Sequence, residues 1–382
     1  MSTLLRSDVG LVSDDRYLLH NPGQQANSQS GDTLPFVEPV LHPSNYRLVW
    51  RTKHLLELTG LTESLQTVVP YQASTESLTT YHSLEYVNRV RELCANGGGD
   101  AGRGAPVSPE SWKASLLAAG GVMASVDAVM EDDLRRVFAN VRPPGHHAMA
   151  DKGMGFCIFN NVALAAKYAQ TRYGLERIMI LDWDVHVGNG TQNAFHDDSS
   201  VLFVSLHQDQ LAFHDYGQVD QVGVGEGVGF TVNIPLPPGS GDAAYEAAFE
   251  QLVQPIADQF SPQLVLISAG QDASVMDALG RMCVTTEGYR QMTRSMIKIA
   301  EQSANGRLIV VQEGGYSEVY APYCTLAIIE TLLDTRTELP EPIPKEKLTI
   351  QPHTHEVGSS QKAFLAKSRS VQRYHWRLDD HG

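Results

Sequence analysis

Any fold for this chain has to accommodate one run, Ile178-Met-Ile-Leu-Asp-Trp-Asp-Val-His-Val-Gly-Asn-Gly190. The run is apolar through Leu181 and then turns abruptly acidic. That pattern predicts a buried parallel strand over 178–185 whose C-terminal end opens into a site. Side chains alternate along an extended chain, so Asp182, Asp184 and His186 are expected on one side. Gly188, Asn189 and Gly190 mark a tight strand-to-helix turn. An Asp-x-His pair at such a place suits two zinc ligands in need of a third. Solvated polar residues at a strand end are the alternative.

The chain has 382 residues, enough for one large α/β domain with a sizeable core. At 42% apolar and 19% charged it has the composition of an ordinary globular protein. The formal net charge of -15 argues against a nucleic-acid-binding surface. The N-terminus Met-Ser-Thr-Leu-Leu-Arg lacks the apolar run of a signal peptide. No unbroken apolar stretch approaches the roughly 18 residues that span a bilayer, so no membrane partner is expected. The cysteines Cys94, Cys157, Cys283 and Cys324 are far apart and form no Cys-x-x-Cys. They read as reduced thiols of a cytoplasmic protein.

Residues 1–41 read as an irregular N-terminal loop region, with a Gln/Asn/Ser-rich run at 21–32. Helices are expected over 45–61, 82–95, 112–130, 160–173, 242–260, 287–302 and 322–334. Strands are expected over 136–141, 178–185, 201–207, 230–236, 264–269 and 308–312. Asn96–Pro109 is Gly-rich; no strand precedes it and no Lys-Ser/Thr follows it, so it reads as a flexible loop and not a phosphate cradle. Residues 208–229 form a long loop. Its Gly-Val-Gly-Glu-Gly-Val-Gly ending leads into a strand, which excludes a dinucleotide fingerprint. Alternating strands and helices imply a parallel sheet covered on both faces. The whole chain reads as a single domain, with a core of about 42–335 and a tail from 340 to 382. The amphipathic stretch at 360–377 either packs back on the domain or meets another subunit, which leaves a homo-oligomer open.

Five of these strands run into unusual chemistry. They lead to Arg142-Pro-Pro-Gly-His-His147, to Asp182, Asp184 and His186, to Ser205-Leu-His207, to Ser268-Ala-Gly-Gln-Asp272 and to Gln312-Glu-Gly-Gly-Tyr316. In a parallel sheet such ends converge on one crevice. Asp272 supplies the third ligand, and an Asp₂His set leaves a position open for catalysis. A metal there polarises a carbonyl and makes water acidic enough to deprotonate near neutral pH. His146 and His147 would supply proton transfer.

At this point the motifs are recognisable. Arg142-Pro-Pro-Gly-His-His-Ala, Gly155-Phe-Cys-Ile-Phe-Asn-Asn, Asp182-Trp-Asp-Val-His-x-Gly-Asn-Gly-Thr-Gln, Ser268-Ala-Gly-x-Asp and Glu313-Gly-Gly-Tyr resemble the zinc-dependent histone deacetylase superfamily. The wording is closest to its class II branch. That branch includes bacterial histone deacetylase-like amidohydrolases, and the superfamily also holds acetylpolyamine amidohydrolases. The resemblance covers about His42 to about residue 335, with the motifs in family order.

The resemblance implies an arginase/deacetylase fold, an open parallel sheet of about eight strands. It implies one catalytic zinc on Asp184, His186 and Asp272. His147 would be the general base that activates water, oriented by Asn189, and His146 would be oriented by Asp182. One of the two histidines would protonate the leaving amine. The amide at Asn189, where class I members have an aspartate, would lower the His147 pKa relative to an Asp-paired histidine. Tyr316 would donate to the developing oxyanion. Phe156, after Gly155, would form one wall of a narrow acyl-lysine channel, with Leu279 at its rim. The second channel aromatic would fall at Phe213 or His214, with His214 the preferred substrate-binding residue. One structural potassium would use Asp182, the Asp184 and His186 backbones, Ser205 and Leu206. A second would use the carbonyls of Phe195, Asp198 and Val201 and the Phe230 backbone.

The sequence departs from the family pattern in several places. Val187 replaces a non-ligating histidine. Gln271 replaces an apolar residue or alanine before Asp272. The His-Pro-x-x-x-x-Arg motif appears as His42-Pro-Ser-Asn-Tyr-Arg47, one residue short. The rim aspartate that clamps the substrate backbone has no register match; Asp100 is the nearest acid. The expected activity is zinc-dependent hydrolysis of an acetylated amine, either acetyl-lysine in a protein or a small acetylated amine such as a polyamine. A related arginase-type metallohydrolase and a catalytically silent acyl-ligand binder of the same fold are the alternatives.

Overall fold

The computed structural model describes residues 7–25, 38–348 and 354–378. At its centre eight strands pair, every pair parallel. In chain order they are β1 (Val9–Val12), β2 (Gln66–Thr67), β3 (Arg136–Ala139), β4 (Ile178–Asp182), β5 (Val201–Gln208), β6 (Thr231–Leu236), β7 (Leu264–Ala269) and β8 (Leu308–Gln312). Across the sheet they lie in the order β6-β5-β4-β7-β8-β3-β1-β2. The chain leaves β4 toward one edge and β7 toward the other, so the strand order switches between these two neighbours. Open parallel sheets bind ligands at such a switch.

Alternation along the strands separates two cores. Met179, Leu181, Val265, Ile267 and Val310 join one cluster with Tyr245, Phe249, Met292 and Ile328. Their neighbours Ile178, Ile180, Leu264, Leu266 and Ile309 join the other with Leu117, Val122, Val126 and Val162. Both faces are therefore covered by helices, which is why the strands read as continuous apolar runs. Helix Ser111–Met130 is the one helix among the described residues long and apolar enough to cross a membrane, and 78% of its most apolar window is buried. It is a core helix on the second face.

Several expectations need correction. The first 40 residues are not all loop: Val9–Val12 is a buried strand between β3 and β2. It was hidden because a run of four residues, one of them Gly10, is too short to stand out before Ser13-Asp-Asp. Within 1–41, positions 1–6 and 26–37 lie outside the described residues, so the Gln/Asn/Ser-rich run is only partly covered. The Gly-rich stretch at 96–109 is pinned in place: Gly99–Asp100 pairs with Pro106–Val107 and Gly102–Arg103 with Gly153–Met154. The tail helix Ser359–Gln372 is followed by Trp376, whose ring meets Phe230 at 5.7 Å and whose Nε1 donates to the Gly229 carbonyl at 2.9 Å. The tail thus packs back on the domain.

Candidate active site

Strand β4 stops at Asp182, short of the expected residue 185. Alternation in an extended chain is therefore not what groups its polar residues. Two successive side-chain turns do it instead: Asp184 N donates to Asp182 Oδ1 at 3.0 Å, and His186 N to Asp184 Oδ1 at 2.9 Å. Aspartates favour such local bonds, and they end the strand. Asp272 follows β7, and its Oδ1 accepts from Val185 N at 2.9 Å. His186 Nδ1 then lies 3.1 Å from both Asp184 Oδ1 and Asp272 Oδ2. The three donors lie within 4.8 Å of one another. Two carboxylates and one imidazole at this spacing suit a divalent cation with a position left open.

The electrostatics favour a cation at this place. Burial, and then the charge of Asp184, push the Asp272 carboxyl up to about 8. Burial opposes the His186 cation, but Asp184 and Asp272 outweigh it and raise His186 to about 10. Such crowding of buried carboxylates is unfavourable unless a positive charge sits between them. Glycines make room for these carboxylates. A Cβ on Gly270 would meet Asp184 Oδ2 at 2.1 Å, and one on Gly314 would meet Asp272 Oδ2 at 2.3 Å.

The two histidines come from the turn after β3. Glu313 Oε2 accepts from Gly145 N at 2.7 Å and His146 N at 3.1 Å, which fixes that turn. His146 Nδ1 lies 2.9 Å from Asp182 Oδ2, and His147 Nδ1 lies 2.7 Å from Asn189 Oδ1. The rings are 3.8 Å apart at 34°. Their surroundings push them in opposite directions. Burial opposes the His146 cation, but Asp184 and Asp182 raise it well above an ordinary histidine. Burial, with His146 and His186 adding to it, holds His147 well below. A proton-holding histidine beside a proton-free one is the arrangement of an acid and base pair. His146, Cys157 and Glu313 also come within 4.8 Å of one another. There His146 Nδ1 is taken by Asp182 and Glu313 Oε2 by the Gly145 and His146 N–H groups, so the group is packing behind the pair.

Tyr316 follows β8 on a clamped loop. Gly314 N donates to Asp184 Oδ2 at 2.9 Å, and Gly314 O accepts from Gln271 N and Gln312 Nε2, each at 3.0 Å. Asp277 Oδ2 accepts from Tyr316 N at 2.6 Å and from Ser317 N at 3.1 Å. Burial, then Asp272 and Asp184, raise the phenol well above 10, so it keeps its proton. Gln271 is therefore part of the clamp, bonded through Oε1 to Gln312 Nε2 at 2.6 Å. Asp277 and Glu313 escaped the sequence reading as positioning groups, since a lone acid two residues before Leu279 carries no motif. A cavity of about 20 Å³ lies behind Tyr316, lined by Arg142, Pro144, Glu313 and Gly315, with room for about one water.

Some of the residues expected to line a channel lie near this centre. Phe156 has φ +71° and its ring meets His42 at 4.6 Å and Tyr316 at 5.8 Å. Of the two candidates for the second aromatic, Phe213 is the one in place, 4.5 Å from the His147 ring. This corrects the preference for His214, which is exposed. Phe213 has φ +54°, and that turn swings its ring back onto His147. Leu279 is half-buried and its N–H is held by Asp277 Oδ1 at 2.8 Å. Asp100 is not a clamp for substrate: its carboxylate accepts from Gly102, Gly104 and Ala105 N–H groups of its own loop.

The residues of the two predicted potassium sets fall on and around β4 and β5. Asp182 and Ser205 are register partners on β4 and β5. Asp198 N donates to the Phe195 carbonyl at 3.1 Å, Val201 begins β5, and the Phe230 carbonyl accepts from Phe203 N at 2.9 Å.

Fold and site together are those of a hydrolase built at the switch point of a parallel sheet, with a donor group able to hold a metal. Comparison with known proteins narrows the class. The histone deacetylase domain matches residues 42–332. A histone deacetylase-like amidohydrolase of Pseudomonas aeruginosa is 42% identical over 86% of this chain and 87% of its own. A probable deacetylase of Archaeoglobus fulgidus is 40% identical over 85% and 86%. The crystal structure of the HDA15 HD domain superposes with a TM-score of 0.84 at 30% identity, over 97% of this chain and 96% of that one. The chain belongs to the histone deacetylase family.

Proposed function

We propose that this chain is a zinc-dependent deacetylase that cleaves the amide of an acetylated amine, releasing acetate and the free amine. Deacetylation of acetylated amines is the activity of its family. The observation that carries the proposal is the meeting of the Asp184, His186 and Asp272 donors with two oppositely tuned histidines and a protonated Tyr316. One zinc held by those three residues supplies Lewis acidity toward the acyl carbonyl and the attacking water.

With Nδ1 committed to Asn189, His147 uses Nε2 to take the proton from water as it adds to the carbonyl carbon. Tyr316 donates its phenol hydrogen bond to the carbonyl oxygen as negative charge builds there. His146, kept protonated by Asp182 and Asp184, gives its proton to the departing nitrogen as the C–N bond breaks. Phe156 and Phe213 wall the channel, Gly155 lets the wall approach His147, and Leu279 stands at the rim. Structural potassium is assigned to Asp182, the Asp184 and His186 backbones, Ser205 and Leu206, with a second ion on the carbonyls of Phe195, Asp198 and Val201 and the Phe230 backbone. The four free, buried thiols suit a reducing cytoplasm.

The deciding experiment is acetate release from an acetyl-lysine peptide and from acetylputrescine, with zinc and potassium supplied, by the wild type and by Tyr316→Phe. Expected is a turnover loss of about 10²–10³-fold with zinc retained. Unchanged turnover in Tyr316→Phe would overturn the mechanism, and no release from either substrate would overturn the reaction.

A further inference from the structure

Next to the channel wall the surface carries charge that the reaction does not use. Gly155 N donates to the Arg103 carbonyl at 3.1 Å and Phe156 N to the Gly104 carbonyl at 2.7 Å. Arg103 is thereby carried on the wall itself. Gly155 in turn abuts the catalytic pair, since a Cβ there would meet His147 Cδ2 at 2.4 Å. Arg103 is exposed, and among the described residues its guanidinium has no ion-pair or hydrogen-bond partner. Lys152, also exposed, lies alongside: a Cβ on Gly102 would meet Lys152 Cβ at 3.0 Å.

Among the acids of the neighbouring loops, exposed Asp151 precedes Lys152 in the chain, and no acid among the described residues forms an ion pair with Arg103. Asp100 is folded onto its own loop's N–H groups, and Asp277 onto those of Leu279, Tyr316 and Ser317. Other exposed acids such as Asp215 lie on the Phe213 loop, which leaves Arg103 as an exposed, unpaired cation on the Phe156 side. On a chain of net charge -15, an exposed and unpaired arginine carried on this wall runs against the bulk composition. Rim charges select partners by sign and set encounter rates.

Resting on the deacetylase reading, we propose that Arg103, with Lys152 beside it, is a specificity-determining residue. The substrate it selects is acetyl-lysine within a peptide segment that carries acidic residues on one flank. Acetylated polyamines, whose remaining amines are cationic, are disfavoured by the same charge.

The test uses the full-length, zinc-supplied protein and three acetyl-lysine peptides that differ only in two flanking residues, Glu, Gln or Lys, placed on either side. Binding by fluorescence anisotropy and kcat/KM are both read, as ratios between peptides, for the wild type, Arg103→Gln and Arg103→Glu. Matching thermal melts identify folded variants. Expected in the wild type is an advantage of about fivefold for Glu over Lys on one flank, shrinking as salt is added. Arg103→Gln reduces the ratio and Arg103→Glu inverts it. The proposal is overturned if Arg103→Glu keeps the wild-type order, or if acetylputrescine outcompetes the Glu peptide. Hydrolysis of every peptide without flank discrimination sinks this inference alone. Flank-ordered binding without any hydrolysis sinks the proposed reaction and leaves the rim assignment standing.

Discussion

At the floor of the site Asp182, Asp184 and Asp272 are wholly buried, and each has a carboxylate oxygen bonded to a backbone N–H. At the rim Gly102, Arg103 and Gly104 are exposed. They are held by the Asp100 carboxylate and by two carbonyls bonded to the Phe156 wall. The floor is a set of side chains fixed by backbone, and the rim is a backbone fixed by one side chain. Chemistry needs the first kind of rigidity, because a misplacement of about 1 Å costs rate steeply. Selection among substrates tolerates the second, since its determinants act at longer range through water.

The largest effect should come from the floor. His147→Ala is expected to lower kcat by about 10²–10⁴-fold while zinc content, read by elemental analysis, stays at the wild-type level. A fall of less than tenfold would remove His147 from the base role. Next is Asn189→Asp. His147 works as a base only when neutral, and its pKa is held low by burial and by His146 and His186. A new anion on Nδ1 raises that pKa, so the acid limb of kcat/KM moves to higher pH. An unmoved limb would mean that His147 does not govern it.

Between floor and rim stands His82, which separates stability from rate. Its Nδ1 donates to the Met149 carbonyl and its Nε2 accepts from Asn160 N, so it is fixed neutral. Burial lowers it to about 3, and burial lowers His207 to about 4. An unfolded histidine titrates near 6.5, so the unfolded chain takes up protons that these groups refuse. Stability is full above about pH 6.5 and is lost as pH falls toward 4, by on the order of 1 kcal/mol per pH unit for each group. Thermal melts at pH 7.5, 6 and 5 check this, and His82→Gln should flatten the slope. The smallest effect belongs to the rim. Asp100→Ala removes the acceptor of three N–H groups and should weaken loop order by about 1 kcal/mol, seen as a roughly fivefold rise in KM with kcat kept. A matching loss of kcat would show that floor and rim are not separable.

The sequence made the floor legible and left the rim obscure, and the same contrast explains why. Ligands, dyad and tyrosine sit where apolar runs end, and an apolar run is visible without knowing its neighbours. Residues 264–269 and 308–312 were bounded as β7 and β8 are. The strand Val9–Val12 escaped because its identity comes from pairing with Arg136–Ala139, a partner far along the chain. Phe213 and His214 were not separable in sequence, because a positive φ at Phe213 decides which ring turns inward. The role of Asp100 was equally hidden, since a carboxylate that closes a loop and one that faces substrate look alike when written as a letter.

Gly270 and Gly314 each stand within 2.3 Å, by the position of an added Cβ, of a metal-site carboxylate oxygen. Part of the site is therefore specified by atoms that must be missing. A scan that removes functional groups one at a time would pass over both positions, because there is nothing there to remove. A single-nucleotide change that adds one methyl group is enough to displace Asp184 or Asp272. The mutational target of this centre is larger than its list of donors, and transplanting those donors into another scaffold would fail wherever the scaffold keeps a side chain at these two places.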